Sequence, residues 1–513
     1  MYLQQNTVIN FSNIYKVCFE KEEIVLDEEL LCSIEKQYQQ FETADKRIYG
    51  INSGFGALGF LLESIDAKMH QKNLLYHLAT GVGKPYEPQL VKAMMFCRLV
   101  TLIKGYSLVS TKLLNGLLLL INQNIIPQVP SIGTVGASGD LTPLAHIALA
   151  LIGEGTLNNG KHLNNTNAAE FFANNSQIAP LKLQKRDALA FVNGTSAMTA
   201  IAAINAYRSA QLLQLAVQLG CLYAELLGAR IEYFNPHLSS ARNQPAQIKL
   251  AEIMYQQLIS SHFINKQLIA DDSVDLYGNK VLQHAYTIRC IPQILGAIFN
   301  TITWHNNTVN NELNAVTDNP IFMPNNVSVY HGGNFMGSFI ANVSDALSNA
   351  IVQLSVLVER QIARITDESL NKGRFPVYLI HQAKGVNSGF MGAQVTATAL
   401  VAHMRSYCMP ASIQSIPTNN NNQDVVSMGT IAAYKTYELI ENAFNVLTIA
   451  TIVFTEAADF LKKESSTKQF SPYAESLYLL CRKEIAPVLK DRILSNDINL
   501  LKQSLQQQLP LFQ

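Results

Sequence analysis

The residues best suited to chemistry fall in a few short stretches, the first being Gly136-Ala137-Ser138-Gly139-Asp140-Leu141-Thr142-Pro143. Three small residues meet where the chain must turn before an apolar run, Leu144 to Ile152. Asp140 and Thr142 suit a helix N-cap, and Pro143 suits a first helical position. Three more predicted helices begin after small or amide-rich residues: Asn193-Gly194-Thr195-Ser196, His331-Gly332-Gly333-Asn334-Phe335 and Asn422-Gln423-Asp424. Helix N-termini carry unpaired backbone N–H groups and positive partial charge. Brought together, four of them would stabilise negative charge without side-chain cations. Taken singly, each is an ordinary cap.

Gln283, Tyr286 and Arg289 follow one another by three, so a helix would put them on one face. An arginine on an otherwise apolar helix needs an anion. That anion is either a substrate carboxylate, held bidentately, or an internal partner such as Glu312 or Asp318; the residues alone leave both open. Tyr49, in the glycine-rich loop Tyr49-Gly50-Ile51-Asn52-Ser53-Gly54-Phe55-Gly56, reads as a packing contact or as an acid or base. His77, near a helix end, reads first as a structural cap. Ser138 has no His and Asp in a familiar triad order, and HExxH, GxSxG and P-loop motifs are missing. A serine-hydrolase reading is therefore poor.

The elements that must position these groups are mainly helical. Ile24-Val25-Leu26 predicts a short strand and Asp27 to Phe41 an amphipathic helix. Further helices are predicted over Asp66–Thr80, stopping near Gly81-Val82-Gly83-Lys84-Pro85, over Glu87–Gly105 and over Thr111–Asn122. Asn158–Ile178 predicts an exposed loop or hairpin. Long apolar-periodic helices are expected over Gly194–Gly228, Thr287–Val316, Met336–Ile365 and Asp424–Lys462, and such helices must pack on one another as a bundle. Asn235–Asp275 predicts surface loops with short helices, and Ser471–Gln513 peripheral helices. Asn419-Asn420-Asn421-Asn422 is the single low-complexity tract.

Composition agrees with a large packed body. Of 513 residues, 48% are hydrophobic and 15% charged; Lys+Arg and Asp+Glu are both 38. This balance gives no nucleic-acid footprint and no basic membrane patch. The 7 cysteines are scattered without a CxxC pair, against metal clusters and a disulfide framework. With no signal-like N-terminus and no apolar stretch long enough to span a bilayer, a cytoplasmic protein is expected.

Together the motifs resemble the aromatic amino acid ammonia-lyases and aminomutases. The resemblance rests on the Tyr49–Gly56 loop, Gly136 to Pro143, Asn193-Gly194-Thr195, Gln283 to Arg289, Thr317-Asp318-Asn319-Pro320, His331 to Phe335 and Asn422 to Met428, in that order over nearly the whole chain. Arg186–Met198, Glu312–Pro320, Glu359–Leu370 and Asn387–Leu400 read most like the bacterial tyrosine ammonia-lyases. The resemblance implies a fumarase/aspartase-like fold: an N-terminal domain over 1–210 bearing the base loop and cofactor precursor, a central long-helix bundle over 211–465, and peripheral helices over 466–513. It implies a homotetramer with active sites shared between subunits.

The resemblance also implies a methylidene-imidazolone (MIO) made autocatalytically from Ala137, Ser138 and Gly139, with no metal or dissociable cofactor. Cyclisation joins the Gly139 nitrogen to the Ala137 carbonyl, which demands a tight turn, and dehydration of Ser138 leaves an electrophile. Adding the substrate amine to it makes ammonia a better leaving group. Tyr49 would remove the β-proton and Arg289 hold the carboxylate, while Asn193, Gln283, Tyr286, Asn334 and Phe335 would line the site. Relatives differ at a two-residue switch: Ser-His for histidine, Phe-Leu for phenylalanine, His-Leu for tyrosine. This chain has His77-Leu78. A buried phenol hydroxyl needs a hydrogen-bond partner, and an imidazole supplies one. Gln423 stands where histidine lyases place a glutamate; Asn419 would shape the pocket. His284 departs from the aspartate most relatives carry. Deamination of L-tyrosine to trans-p-coumarate is the expectation. Phenylalanine or histidine lysis, a tyrosine 2,3-aminomutase and a non-catalytic helical scaffold are its rivals.

Overall fold

In the computed structural model, residues 1–41, 47–60, 67–158, 166–175, 179–266, 283–324, 328–465 and 467–512 are described. Asp66, 159–165 and 176–178 of the predicted polar stretch, and 267–275 of the next one lie outside them. The chain is mainly helical, as predicted. It forms two compact units, Met1–Tyr207 with His305–Asp345 and Pro410–Tyr437, and Arg208–Trp304 with Ala346–Met409 and Glu438–Gln513. The division falls inside four long helices, Ser196–Leu226, Ile291–Leu313, Ser338–Thr366 and Gly429–Glu464.

The first unit has its own core. Pro88–Leu102 is apolar on nearly every face, and Leu90 to Leu102 are all buried, as a helix inside a packed body requires. Thr111–Asn122 is amphipathic instead: Leu113, Leu114, Leu117, Leu120 and Ile121 are buried, and the Ser110 side chain accepts from the Leu113 N–H as its N-cap. Asp27 caps Glu28–Gln40 in the same way, accepting from the Leu30 N–H. The predicted strand pairs in parallel with the N-terminus, Tyr2 with Val25 and Leu3 with Leu26.

Two short strands bear on the site. The predicted helix stop is a strand, Val82–Pro85, paired antiparallel with Pro130–Ile132. This brings the end of the Ala67–Leu78 helix to the loop before Ala137. A Cβ on Gly133 would lie 3.1 Å from the Cα of Gly81, so the two backbones meet where side chains would separate them. Where an exposed loop or hairpin was expected over Asn158–Ile178, Thr166–Asn167 pairs antiparallel with Thr156–Asn158, and a helix that was not expected, Ala168–Asn174, follows.

In the second unit, Leu219, Leu222, Leu295, Leu354, Leu447 and Phe454 are core residues from the long helices. The C-terminal helices Pro472–Glu484 and Ser495–Gln508 bury Leu477, Cys481, Leu501 and Leu505 in it. One prediction fails here. The expected helix Thr287–Val316 is broken into Tyr286–Arg289 and Ile291–Leu313. Pro292 has no N–H to continue the hydrogen-bond ladder and is compatible only with a first turn. Gln283 precedes the short helix, so only Tyr286 and Arg289 share its face.

The expectation that no stretch could span a bilayer also needs amendment. Ser338–Thr366 and Gly429–Glu464 are long and apolar enough, but 72% and 89% of their apolar windows are buried in protein, as in core helices of a bundle.

Candidate active site

The Ala137-Ser138-Gly139 turn is held from several sides in the first unit. The Val135 carbonyl accepts from the Met428 N–H at 2.9 Å, and the Gly136 carbonyl accepts from the Ser427 hydroxyl at 3.0 Å. The Asp140 N–H donates to the Gly194 carbonyl at 2.8 Å. Gly139 has φ +70°, and a Cβ there would lie 2.1 Å from the Gly194 carbonyl oxygen. Only glycine fits, for conformation and for space.

Asp140 does not act as predicted. It begins the Leu141–Leu151 helix, yet its side chain makes no bond to that helix, and Thr142 and Pro143 are its second and third residues. The carboxylate instead accepts from the Met198 N–H at 2.7 Å, in the first turn of Ser196–Leu226, and from the Thr430 hydroxyl. One side chain thus ties the turn to two long helices. Burial pushes its carboxyl up to about 6, with the bonds from Thr430 and Met198 opposing.

Beside the turn is a cavity of about 880 Å³. It is lined by Tyr49, His77, Leu78, Ser138, Asn193, Phe335, Asn419 and Gln423 among the predicted site residues. All four of the predicted helix-start stretches contribute to its wall, through Ser138, Asn193, Phe335 and Gln423. Ala137 and Gly139 flank Ser138 along the backbone. Asn334 does not line the cavity; its amide lies 3.4 Å from the Val316 carbonyl.

Gln283, Tyr286 and Arg289 belong to the second unit and are not among the lining residues. The Arg289 Nε donates to the His284 carbonyl at 3.0 Å, and its guanidinium lies over the Tyr286 ring, 4.6 Å from the centroid. Among the described residues it forms no ion pair. The two internal partners considered for it are engaged elsewhere: Asp318 with Arg186, and Glu312 with the Thr195 hydroxyl at 2.6 Å. His284, the departure noted in the sequence, is buried, with Nδ1 3.1 Å from the Tyr233 hydroxyl.

Tyr49 is set by its own loop. Its N–H donates to His331 Nε2 at 3.3 Å, and its phenol oxygen accepts from the Gly56 N–H at 2.8 Å. Gly56 has φ +54°, so the loop's glycine gives the curl that returns this N–H to the phenol. His77 is exposed to the cavity, and its Nδ1 lies 3.3 Å from the Asn73 carbonyl. A carbonyl only accepts, so in that bond Nδ1 carries a proton, and in the neutral ring Nε2 is then the acceptor.

Asn193 is oriented from below by a buried pair. Arg186 and Asp318 meet through two bonds of 2.8 Å, both side chains fully buried. The Asn193 amide donates to Asp318 Oδ1 at 3.0 Å and to the Asn319 carbonyl at 2.9 Å. The geometry is bidentate, as a desolvated pair requires.

Sequence reasoning missed His70 and Leu74 as lining residues. The signal was present: His70, Leu74, His77 and Leu78 follow the i, i+4, i+7, i+8 rule of one helical face. His70 stacks on Phe55 with ring centroids 4.4 Å apart, and burial pulls its pKa down. Among the described residues no group of three or more His, Cys, Asp or Glu is placed to hold a metal ion.

A mainly helical body whose first unit gathers the Tyr49 loop, the Ala137-Ser138-Gly139 turn, Asn193, Phe335 and Gln423 around one cavity defines a class, and the comparisons agree. Residues 9–483 match the family model described as aromatic amino acid lyase. The chain belongs to that family and is a carbon–nitrogen lyase. It is 44% identical over 474 residues to the tyrosine ammonia-lyase of Cereibacter sphaeroides, covering 91% of this chain and 89% of that one. It is 35% identical over 475 residues to a probable histidine ammonia-lyase of Thermoplasma volcanium, covering 92% and 91%. The crystal structure of tyrosine aminomutase from Streptomyces globisporus superposes with a TM-score of 0.90 at 30% identity, covering 99% and 97%. The fold is the fumarase/aspartase-like helical fold of these enzymes.

Proposed function

We propose that this enzyme deaminates L-tyrosine without oxidation, releasing trans-p-coumarate and ammonia. The observation that carries the substrate is His77 at the cavity wall, its Nδ1 at the Asn73 carbonyl. Nε2 then accepts the hydrogen of a phenol hydroxyl, while Leu78 packs against the ring. A phenylalanine would leave that acceptor unpaired, at a cost in the transition state. The 44% identity to a tyrosine ammonia-lyase points the same way.

The turn fits an MIO. Gly139 lies in a cradle that a Cβ would fill, and Ser138 Oγ accepts from the Gln423 amide at 3.2 Å. When formed, the group supplies an electrophile for the substrate amine, so that ammonia leaves more readily. The other residues bind and move protons. The Tyr49 oxygen, which accepts the Gly56 N–H, takes the β-proton as its phenolate and becomes the phenol. Gln423 presents an N–H rather than a carboxylate to the cavity, which removes the charge partner an imidazole substrate would use. Arg289 holds the substrate carboxylate.

Arg289, Gln283 and Tyr286 come from a neighbouring subunit of a homotetramer. Two observations support this: they are not among the cavity's lining residues, and Tyr286 is 67% exposed. Phe339, Val395, Met409 and Val425 are also exposed apolar residues, suited to burial between copies. Mixed tetramers test it. Co-expressing Tyr49→Phe and Arg289→Ala chains is expected to restore activity that neither has alone; no recovery in verified mixed tetramers removes the shared-site reading.

Incubation with L-tyrosine, L-phenylalanine and L-histidine tests the reaction. A cinnamate-type absorbance growing fastest with tyrosine is expected. β-Tyrosine formed without that absorbance would make the enzyme an aminomutase. His77→Phe should move preference towards phenylalanine by about tenfold or more in kcat/KM, the order of one hydrogen bond to a buried hydroxyl. An unchanged ratio rules out His77 as the selector.

A further inference from the structure

The asparagine tract is an ordered turn. Asn419, Asn420 and Asn421 have φ of +52°, +53° and +58°, three successive residues in the left-handed region. L-residues other than glycine visit that region singly; Asn does so more readily than most, because its short amide bonds locally. The turn is closed at its base. Thr418 and Gln423 pair antiparallel, with the Thr418 N–H on the Gln423 carbonyl at 3.0 Å and the Gln423 N–H on the Thr418 carbonyl at 3.3 Å. The Asn422 N–H returns to the Asn419 carbonyl at 3.0 Å.

The turn touches two residues that contact the groups assigned to the chemistry, Ser138 and Tyr49. The Thr418 hydroxyl donates to Gln423 Oε1 at 2.7 Å. That bond uses the amide oxygen and directs Nε2 to Ser138 Oγ at 3.2 Å. On the other side, the Asn419 side chain packs against Gly56, where a Cβ would lie 2.3 Å from its Nδ2. Gly56 is the residue whose N–H reaches the Tyr49 oxygen. Asn420 and Asn421 are exposed and do not line the cavity.

We propose that Thr418 and the left-handed turn Asn419-Asn420-Asn421 position the catalytic groups, directing the Gln423 N–H at the Ala137-Ser138-Gly139 turn, where before cyclisation it meets Ser138 Oγ, and bracing the Tyr49 loop through Gly56. Thr418 and the turn are positioning residues. They also serve selection, since a Gln423 amide free to rotate would offer its oxygen to a substrate N–H, as an imidazole carries. The inference rests on the tyrosine-deamination reading.

The test separates backbone conformation from side-chain contact. Asn421→Gly keeps the left-handed region accessible, and Asn421→Val excludes it, because a β-branched residue is the poorest fit there. On L-tyrosine, Asn421→Val is expected to lose about tenfold or more in kcat with KM and thermal midpoint little changed, and Asn421→Gly to stay within about twofold of the parent. Thr418→Val should lower kcat and raise histidine turnover relative to tyrosine, with Thr418→Ser restoring both. If the Asn421→Val chain does not fold, the Thr418 pair decides. Equal kcat for Asn421→Val and Asn421→Gly, or an unchanged substrate ratio in Thr418→Val, overturns the inference with the reaction intact. A parent enzyme that releases no coumarate removes the underlying reading, and this inference with it.

Discussion

Replacing Tyr49 with phenylalanine is expected to lower kcat on L-tyrosine by about 10²–10⁴-fold, the range for losing a positioned acid or base. KM should move far less, because the phenol ring is kept and the hydroxyl is assigned to the proton, not to substrate affinity. The fold should survive. The ring's edge-on contact with Phe55, 6.2 Å between centroids, does not involve the hydroxyl. The lost partner is the Gly56 N–H, which borders an open cavity and can be met by water. Steady-state kinetics with a thermal midpoint on the same sample checks this. A fall in kcat of less than threefold with the midpoint unchanged would remove Tyr49 as the base. The same substitution should change the intact mass only by the oxygen of the lost hydroxyl, with the loss of water as in the parent, since Tyr49 is not part of the turn proposed to cyclise.

How far the sequence carried can be seen in particular elements. Thr111–Asn122 was predicted to the residue, because Ser110 caps it and its apolar positions repeat as a helix requires. The long helices were found to within a few residues for the same reason. The break at Cys290 was missed although Pro292 announced it; a long apolar period outweighed one proline. The four stretches singled out as helix starts each give a residue to one cavity, but Asn422-Gln423-Asp424 is not a helix start, because its helix begins at Gly429. What lay beyond reach was long-range. Nothing local in Asp140 says that its carboxylate belongs to Met198 and Thr430, 58 and 290 residues away. Nothing local in the asparagine tract says that it turns left-handed. Composition marks such a run as low complexity, whereas the conformation explains it: asparagine is the residue after glycine that this backbone tolerates.

The second large effect concerns the turn itself, and two substitutions divide its causes. Ser138→Ala removes the hydroxyl that would leave as water and so blocks the electrophile, while the backbone bonds of Gly136, Asp140 and Gly194 remain. Its thermal midpoint should stay near the parent's, because an exposed-side hydrogen bond contributes about 1 kcal/mol at most. Gly139→Ala keeps the hydroxyl and destroys the geometry. A non-glycine residue in the left-handed region costs about 1–2 kcal/mol, and the new Cβ cannot share space with the Gly194 carbonyl, 2.1 Å away. The Asp140–Gly194 bond is then lost as well, a further ~1 kcal/mol. The midpoint should therefore fall by several degrees or more. Both variants are expected to lose essentially all deamination, and both should keep the unmodified mass where the parent has shed water from this turn. Parent-like activity in Ser138→Ala or in Gly139→Ala would detach catalysis from Ala137-Ser138-Gly139. A folded, stable and inactive Ser138→Ala chain beside a destabilised and inactive Gly139→Ala chain would establish that the serine supplies the chemistry and the glycine supplies the room for it.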